Sequence, residues 1–338
     1  ILSGVVVVPL DVKSAPGFDI KVLNKVKIRA IICDSPEIFQ SFLENDNMAS
    51  IFLDGLFEKL QEINTVKSEL YHKNAAFSST EPESLAEIVF TSGTTTEPKG
   101  VEITVGNIQA SLGSVISVMN KYSGIFKMMH NPKILTMVPL SHMYGQLIGI
   151  FTPMIINSSI VFTDDISPKS IMKTIREEKI WIIGTLPKML EMIKDYIVEK
   201  YRLDTPGFIK TYKKMKEKKW QLRLMRFMPL HFRIGPRLVA IMVGGAVLDR
   251  KLDEFFRCLA YAIFQGYGLT EAAPLITISD PVGSVAGSIG KLLPGQEVKI
   301  VKGELFVRGA NISRGYFRDK AKTESAFTDG WFRTGDYA

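Results

Sequence analysis

The densest group of chemistry-bearing residues is the run Phe90-Thr91-Ser92-Gly93-Thr94-Thr95-Thr96-Glu97-Pro98-Lys99-Gly100-Val101. Hydroxyls and backbone N–H groups in such a loop can wrap phosphate oxygens, while Lys99 offsets their charge. It is not a P-loop, which would need Gly and then Ser or Thr where Pro98 and Gly100 stand. Alone, the run is also compatible with a Ser/Thr-rich surface loop. Three further groups bear on it. Gly244-Gly245-Ala246 closes an apolar run, where backbone can approach a ring or phosphate closely. Gln265-Gly266-Tyr267-Gly268-Leu269-Thr270-Glu271 closes another. Gly303-Glu304-Leu305-Phe306-Val307-Arg308-Gly309 precedes Gly330-Trp331-Phe332-Arg333-Thr334-Gly335-Asp336.

The elements that must position these groups follow from periodicity. Short β-branched runs at Val5–Val8, Ala30–Cys33, Glu87–Thr91, Ile134–Val138, Ile160–Phe162, Ile180–Ile183, Leu238–Val243 and Ala262–Gln265 read as strands. Amphipathic stretches Ser167–Glu178, Pro187–Lys200 and Asp249–Leu259 lie between them; in the second, Met189, Leu190, Ile193, Ile197 and Val198 keep helical spacing. This alternation predicts an α/β fold of two helix-covered, mainly parallel sheets over residues 1–282. From about residue 283 Gly and Pro become frequent and the strands Glu297–Val301 and Glu304–Val307 are short, which predicts a small antiparallel β subdomain over 283–338.

Composition sets the class. The 338 residues are 46% hydrophobic and 23% charged, the balance of a globular chain with room for a large core. The two cysteines, Cys33 and Cys258, have no metal-like or redox-like spacing, which suggests a reducing compartment and buried thiols. Ile134 to Thr163 contains no Lys, Arg, Asp or Glu and is long enough to span a bilayer. Pro139, His142, Gln146, Pro153 and Asn157 interrupt it, and a buried strand–helix–strand unit explains it better, with the helix over Met143–Ile155. Lys210 to Arg237 holds ten Lys/Arg against the single acid Glu217, a net of +9 in a chain of net +7, so the remainder carries −2.

Taken together and in this order, the threonine-rich loop, the Tyr267–Glu271 block, the Gly303–Gly309 block and the Arg333–Asp336 block make the chain resemble the adenylate-forming superfamily, which includes acyl-CoA synthetases, firefly luciferase and peptide-synthetase adenylation domains. The resemblance runs from about Val5 to Asp336. It implies that a carboxylate attacks the α-phosphate of ATP to give an acyl-adenylate and pyrophosphate, and that a thiol then takes the acyl group. By the same resemblance Thr91, Ser92, Gly93, Thr94, Thr95 and Lys99 grip the β- and γ-phosphates. Thr270 bonds the α-phosphate and Glu271 ligates Mg²⁺, a hard cation suited to carboxylate oxygen. Tyr267, between Gly266 and Gly268, stacks on adenine, with Gly244, Gly245 and Ala246 as the other wall and Gln265 near the exocyclic amine. Asp336 accepts from the ribose hydroxyls. His142, in Pro139-Leu140-Ser141-His142-Met143-Tyr144-Gly145, borders the acyl site with Gly244, although a satisfied core histidine is the plainer reading. Arg333, Trp331 and Glu304 read as scaffolding around the site.

Two departures from the family pattern stand out. Thr96 occupies a position where the family usually has Gly or Ser. The family's hinge and mobile C-terminal domain, with its catalytic lysine, lie beyond this sequence, as does its earliest N-terminal segment, so both ends read as cuts through a larger protein.

The basic segment ahead of Gly244 is similar to one in long-chain acyl-CoA synthetases. The expected function is therefore fatty-acid activation as acyl-AMP followed by transfer to CoA, in a cytoplasmic protein. Another carboxylate:thiol ligase, acting on an aryl acid or loading a carrier protein, is the rival enzyme. A catalytically silent nucleotide- or lipid-binding module is the rival of another class. In the segment itself, Trp220, Leu224, Phe227 and Met228 are expected on one helical face, with Lys219, Arg223 and Arg226 on another. Peripheral contact with an anionic membrane through 210–237 and a solvated basic face both remain open; nucleic acid is not expected, because few aromatics interleave the charges.

Overall fold

The computed structural model describes residues 5–11, 14, 17–26, 28, 30–33, 49–52, 81–91, 97–122, 124, 129, 131–281 and 283–338. Among these, short apolar runs pair into one large sheet whose order is β11-β10-β9-β8-β7-β5-β6. Its members are β5 (Lys133–Thr136), β6 (Ser159–Val161), β7 (Ile182–Thr185), β8 (Ala240–Val243), β9 (Ala262–Tyr267), β10 (Thr277–Ile278) and β11 (Lys291–Leu292). From β6 to β9 all neighbours are parallel, with Ile134 opposite Ile182, Ile182 opposite Ala240 and Ala240 opposite Ala262. The last two strands join antiparallel.

Parallel strands need helical crossovers, and both faces are then covered, so their residues are mostly apolar. The helices Pro168–Glu177, Pro187–Tyr201, Trp220–Ile234 and Arg250–Cys258 share one core with the sheet, in which Leu135, Ile183, Leu190, Ile193, Ile197, Ile241 and Phe256 are buried. The helix Pro187–Tyr201 begins on its proline and buries Leu190, Ile193 and Ile197, as the spacing predicts. Ile180 and Leu238 are buried but precede their strands rather than pairing within them. Cys258 is a buried member of the core whose thiol burial pushes up to about 11.

The uncharged stretch folds as β5, the helix Met143–Gln146, a π-helical turn Leu147–Phe151, the helix Thr152–Ile155, and β6. No helix among the described residues is long and apolar enough to cross a membrane. Upstream, β1 (Ala30–Cys33) and β2 (Ala49–Phe52) are parallel, and β3 (Leu85–Thr91) pairs antiparallel with β4 (Lys99–Thr104). A parallel bridge from Val7 to Glu87 joins the first predicted strand to β3. Thr104 and Asn107 then form a reciprocal cap, at 3.1 and 3.0 Å, that starts the helix Val105–Asn120.

The antiparallel subdomain is β12 (Gln296–Val301), β13 (Glu304–Gly309), β14 (Phe327–Thr328) and β15 (Trp331–Tyr337), in the order β12-β13-β15-β14. A two-residue turn joins the first pair. Lys302 and Gly303 both have positive φ, +53° and +82°, which matches the twist of a tight hairpin.

Glu87 is the one charged residue of β3. It is 2% exposed; Oε2 accepts from Gln146 Nε2 at 3.0 Å, while Oε1 is buried without a partner. Burial pushes its carboxyl up to about 7, opposed only in part by the Gln146 bond. A folded value above the unfolded one gives stability that is full below the unfolded value and lost as pH rises through about 7. Glu87→Gln, which keeps the shape and cannot ionise, is expected to raise the melting temperature near pH 8 by about 5 °C and to leave it unchanged near pH 4. Calorimetry at both pH values checks this, and equal shifts at the two would contradict it.

Candidate nucleotide-binding site

Strands β9, β8, β7 and β5 are adjacent and parallel, so the segments that leave their carboxyl ends converge on one edge of the sheet, where open α/β sheets bind ligands. Those segments are Gly268–Glu271 after β9, whose last residues are Gln265–Tyr267, Gly244-Gly245-Ala246 after β8, Leu186 after β7 and Pro139–Tyr144 after β5. The sequence blocks singled out as far apart in the chain thus reach one place.

Gly244 is needed there for space. A Cβ on it would stand 2.8 Å from Cε2 of Tyr144, whose ring lies against the glycine. The Tyr144 hydroxyl donates to the Thr185 carbonyl at 3.4 Å, and burial holds it well above the usual phenol range. His142, the residue chosen from sequence, is exposed and sits just ahead of the helix Met143–Gln146 without capping it through its side chain. The structure brings Tyr144 rather than His142 against Gly244.

Gln265 lies on β9 and is 3% exposed. Its backbone N–H donates to Ser279 Oγ at 2.8 Å, but its side-chain Oε1 is buried with no hydrogen-bond partner. An orphaned acceptor at a ligand edge suits a donor such as an exocyclic amine. Two residues on, the Tyr267 hydroxyl donates to Asp336 Oδ2 at 2.6 Å, which joins β9 to β15. Burial, and then the Asp336 carboxylate, push that hydroxyl far above its ordinary value. The residues expected at adenine and at ribose are therefore in contact.

Thr270 and Glu271 sit in the short 3-10 turn Thr270–Ala272. The Glu271 backbone carbonyl accepts from Ser313 N–H at 2.7 Å, and its Oε1 accepts from the Tyr316 hydroxyl at 2.8 Å. Burial first, and then Glu271, keep the Tyr316 proton in place. Tyr316 also forms an antiparallel bridge to Val101 on β4, with Phe317 N–H donating to the Gly100 carbonyl at 2.7 Å and Glu102 N–H to that of Gly315 at 3.0 Å. One segment thus ties the strand that begins at Lys99 to the carboxylate of Glu271. Lys99 is half-buried and pairs with Thr91 across β3 and β4. Ser92, Gly93, Thr94, Thr95 and Thr96 lie outside the described residues.

Tyr316 carries no motif signal of its own and was missed from sequence. Tyr316→Phe keeps the ring packed on Phe327 and removes only the donor to Glu271. If Glu271 ligates Mg²⁺ as the resemblance implies, the variant is expected to need about fivefold more Mg²⁺ for nucleotide binding, with an unchanged melting temperature. A Mg²⁺ titration of the variant checks this.

The residues read as scaffolding hold their neighbours rather than face the edge. Both Glu304 carboxylate oxygens accept from Arg333 Nε at 2.8 Å, and Gly335 N–H reaches Glu304 Oε1 at 3.2 Å, which sets the turn that carries Asp336. Trp331 lies between Lys299 and Arg308, 4.2 and 4.7 Å from its ring centre. The basic segment differs from expectation. Phe227 is buried with Leu230, His231 and Ile234, so it does not share a free face with Met228 and Trp220, which are exposed. Arg223 is half-buried and donates to the Arg257 carbonyl at 2.9 Å.

Known proteins resemble the chain in sequence and in fold. The chain is 29% identical over 290 residues to the long-chain-fatty-acid–CoA ligase FadD15 of Mycobacterium bovis, covering 80% of this chain and 46% of the relative. It is 25% identical to the long-chain-fatty-acid–CoA ligase 6 of Homo sapiens, covering 98% and 53%. The chain spans about half the length of these curated relatives. Among solved structures, it is similar in fold to o-succinylbenzoate CoA synthetase (MenE) from Bacillus subtilis in complex with the acyl-adenylate intermediate OSB-AMP, at a TM-score of 0.67 and 23% identity, covering 97% of this chain and 75% of that one. It is likewise similar to VinN in complex with L-aspartate, at a TM-score of 0.73 and 20% identity, covering 99% and 76%. The family model described as AMP-binding enzyme matches residues 1–317, and the chain belongs to that family.

Proposed function

We propose that the protein activates a carboxylic acid with ATP, forming acyl-AMP and pyrophosphate, and passes the acyl group to a thiol such as CoA, releasing AMP. The observation that carries this reading is the convergence of the orphaned Gln265 acceptor, the Tyr267–Asp336 pair and the Glu271–Tyr316 pair on one edge. Gln265 and Tyr267 hold adenine against Gly244–Ala246, Asp336 holds ribose, and Thr270 bonds the α-phosphate. Thr91 and Lys99, with the loop between them, hold the outer phosphates. Glu271, fixed by Tyr316, is the residue that would hold Mg²⁺, which neutralises phosphate charge when bound. The first step sets an anion against a polyanion, so cations and fixed donors must supply most of the stabilisation.

The acid is a separate question. The curated relatives carry names of long-chain fatty-acid ligases, whereas the solved structures of like fold are an o-succinylbenzoate synthetase and VinN. Together they favour the wider reading of a carboxylate:thiol ligase over a dedicated fatty-acid enzyme. Tyr144, packed on Gly244, stands where a substrate wall is expected. Fatty acid is kept as the second reading because of the curated relatives, and contact with an anionic membrane through 210–237 accompanies it. Measuring AMP release from ATP with fatty, aryl and amino acids, each with and without CoA, tests both readings. ATP binding without AMP release for any acid would leave a silent nucleotide-binding module.

A further inference from the structure

The helix Trp220–Ile234 buries Phe227, Leu230, His231 and Ile234 and leaves an apolar strip outside. Leu222, Met225, Met228 and Phe232 are 47%, 60%, 40% and 65% exposed. At about 100° per residue these four fall within an arc of roughly 120°. Exposed Arg226 and Arg233, one heptad apart, run along one side of the arc, and exposed Lys218 and Lys219 stand at its start. The neighbouring helix Pro206–Lys216 adds exposed Lys210, Lys213 and Lys214. Between the two helices is a groove of about 320 Å³ with Leu203, Phe208, Phe227 and Leu230 in its walls and Arg226 and Arg233 beside them.

The place of this surface in the fold is informative. Trp220 Nε1 donates to the Ala260 carbonyl at 3.1 Å, and His231 Nε2 lies 2.6 Å from that of Leu259. Both carbonyls directly precede β9, so the helix flanks the amino ends of the strands, whereas the nucleotide residues lie at the carboxyl ends.

We propose that the Trp220–Ile234 helix docks on an anionic lipid bilayer, with Leu222, Met225, Met228 and Phe232 entering the interface and Arg226 and Arg233 gripping lipid phosphate at the groove. Charge complementarity identifies the occupant, because segment 210–237 carries a net of +9 in a chain whose remainder is −2. Met225 and Met228 are unbranched and flexible, which suits a fluid interface, and the strip's single ring, Phe232, is a poor stacking platform for nucleic acid. The docked molecule is held by the edge opposite its nucleotide residues, which stay open to solvent. This deepens the membrane contact named above by assigning it to particular residues, and it does not depend on adenylation.

The test is sedimentation of the full-length protein with phosphatidylcholine vesicles, with and without phosphatidylserine, at low and high salt and with inorganic phosphate as competitor. Binding is expected to require phosphatidylserine and to fade with salt. Arg226→Gln with Arg233→Gln, and separately Met225→Ser with Phe232→Ser, are each expected to lower binding by about tenfold or more, with melting temperature and ATP binding unchanged. Equal binding to neutral vesicles, no binding at all, or wild-type binding by both variants would overturn the proposal. So would a self-association that the same substitutions abolish, since the strip would then join two copies of the chain. AMP release, measured without vesicles on the same proteins, reports separately on the proposed reaction.

Discussion

Glu271→Ala is expected to lower acyl-adenylate formation by about a hundredfold or more while leaving the fold intact. The proposed reaction concentrates negative charge where an acid meets the triphosphate, and a preorganised group that would hold the neutralising cation would act directly on that barrier. Glu271 is placed for this by three independent restraints. Its short turn follows β9, its carbonyl takes the Ser313 N–H, and its carboxylate takes the Tyr316 hydroxyl. Glu271→Gln keeps the bond to Tyr316 but loses the charge, so it is expected to retain stability and lose nearly as much activity. Lys99→Ala is expected to cost about tenfold or more by the same logic, because Lys99 opens the strand that Tyr316 bridges. Single-turnover formation of acyl-AMP by the full-length protein at saturating ATP reads these effects. Wild-type rates in Glu271→Gln would remove the carboxylate from the mechanism.

The second large effect concerns Gly268. A Cβ at this position would stand 1.8 Å from the Pro274 carbonyl oxygen and 2.9 Å from Leu275 Cα, both of them backbone atoms. No rotamer change relieves such an overlap, so the Tyr267–Leu275 loop must move. Gly268→Ala is therefore expected to lower stability by on the order of 4 kcal/mol and to abolish adenylation, because that loop carries Tyr267, Thr270 and Glu271. Chemical denaturation of the variant, with its ATP affinity measured in parallel, checks both parts. A stable variant that still binds ATP would mean that the loop is more plastic than its packing indicates.

Much of this was readable from residue order. The runs that became β5 to β9 are apolar over most of their length without a polar residue at every second position, as suits a sheet covered on both faces. The motif blocks were found because each pairs glycine with a polar residue at the end of such a run. The rest depended on distance in the chain. Tyr316 reaches Glu271 across 45 residues, Tyr267 reaches Asp336 across 69, and Gln146 reaches Glu87 across 59. No local pattern marks those contacts. The orientation of the Trp220–Ile234 helix was misjudged for a related reason. Apolar residues occur all round it, so periodicity cannot tell the core face from the free one, and only the packing of Phe227 and Ile234 against the sheet decides. The helix start at Met143 was read correctly, but the contact of the Tyr144 ring with Gly244 spans 100 residues of chain and no local pattern marks it.

The central claim is that the edge built from Gly244, Gln265, Tyr267, Glu271 and Asp336 binds ATP and splits it between the α- and β-phosphates at the expense of a carboxylic acid. Exchange of labelled pyrophosphate into ATP by the full-length protein measures that step alone, without CoA. Exchange that requires a carboxylic acid and Mg²⁺, with the AMP moiety retained as acyl-AMP in the absence of CoA, and that is lost in Glu271→Ala is the predicted result. Formation of ADP and phosphate instead, or exchange that persists in Glu271→Ala, would contradict it.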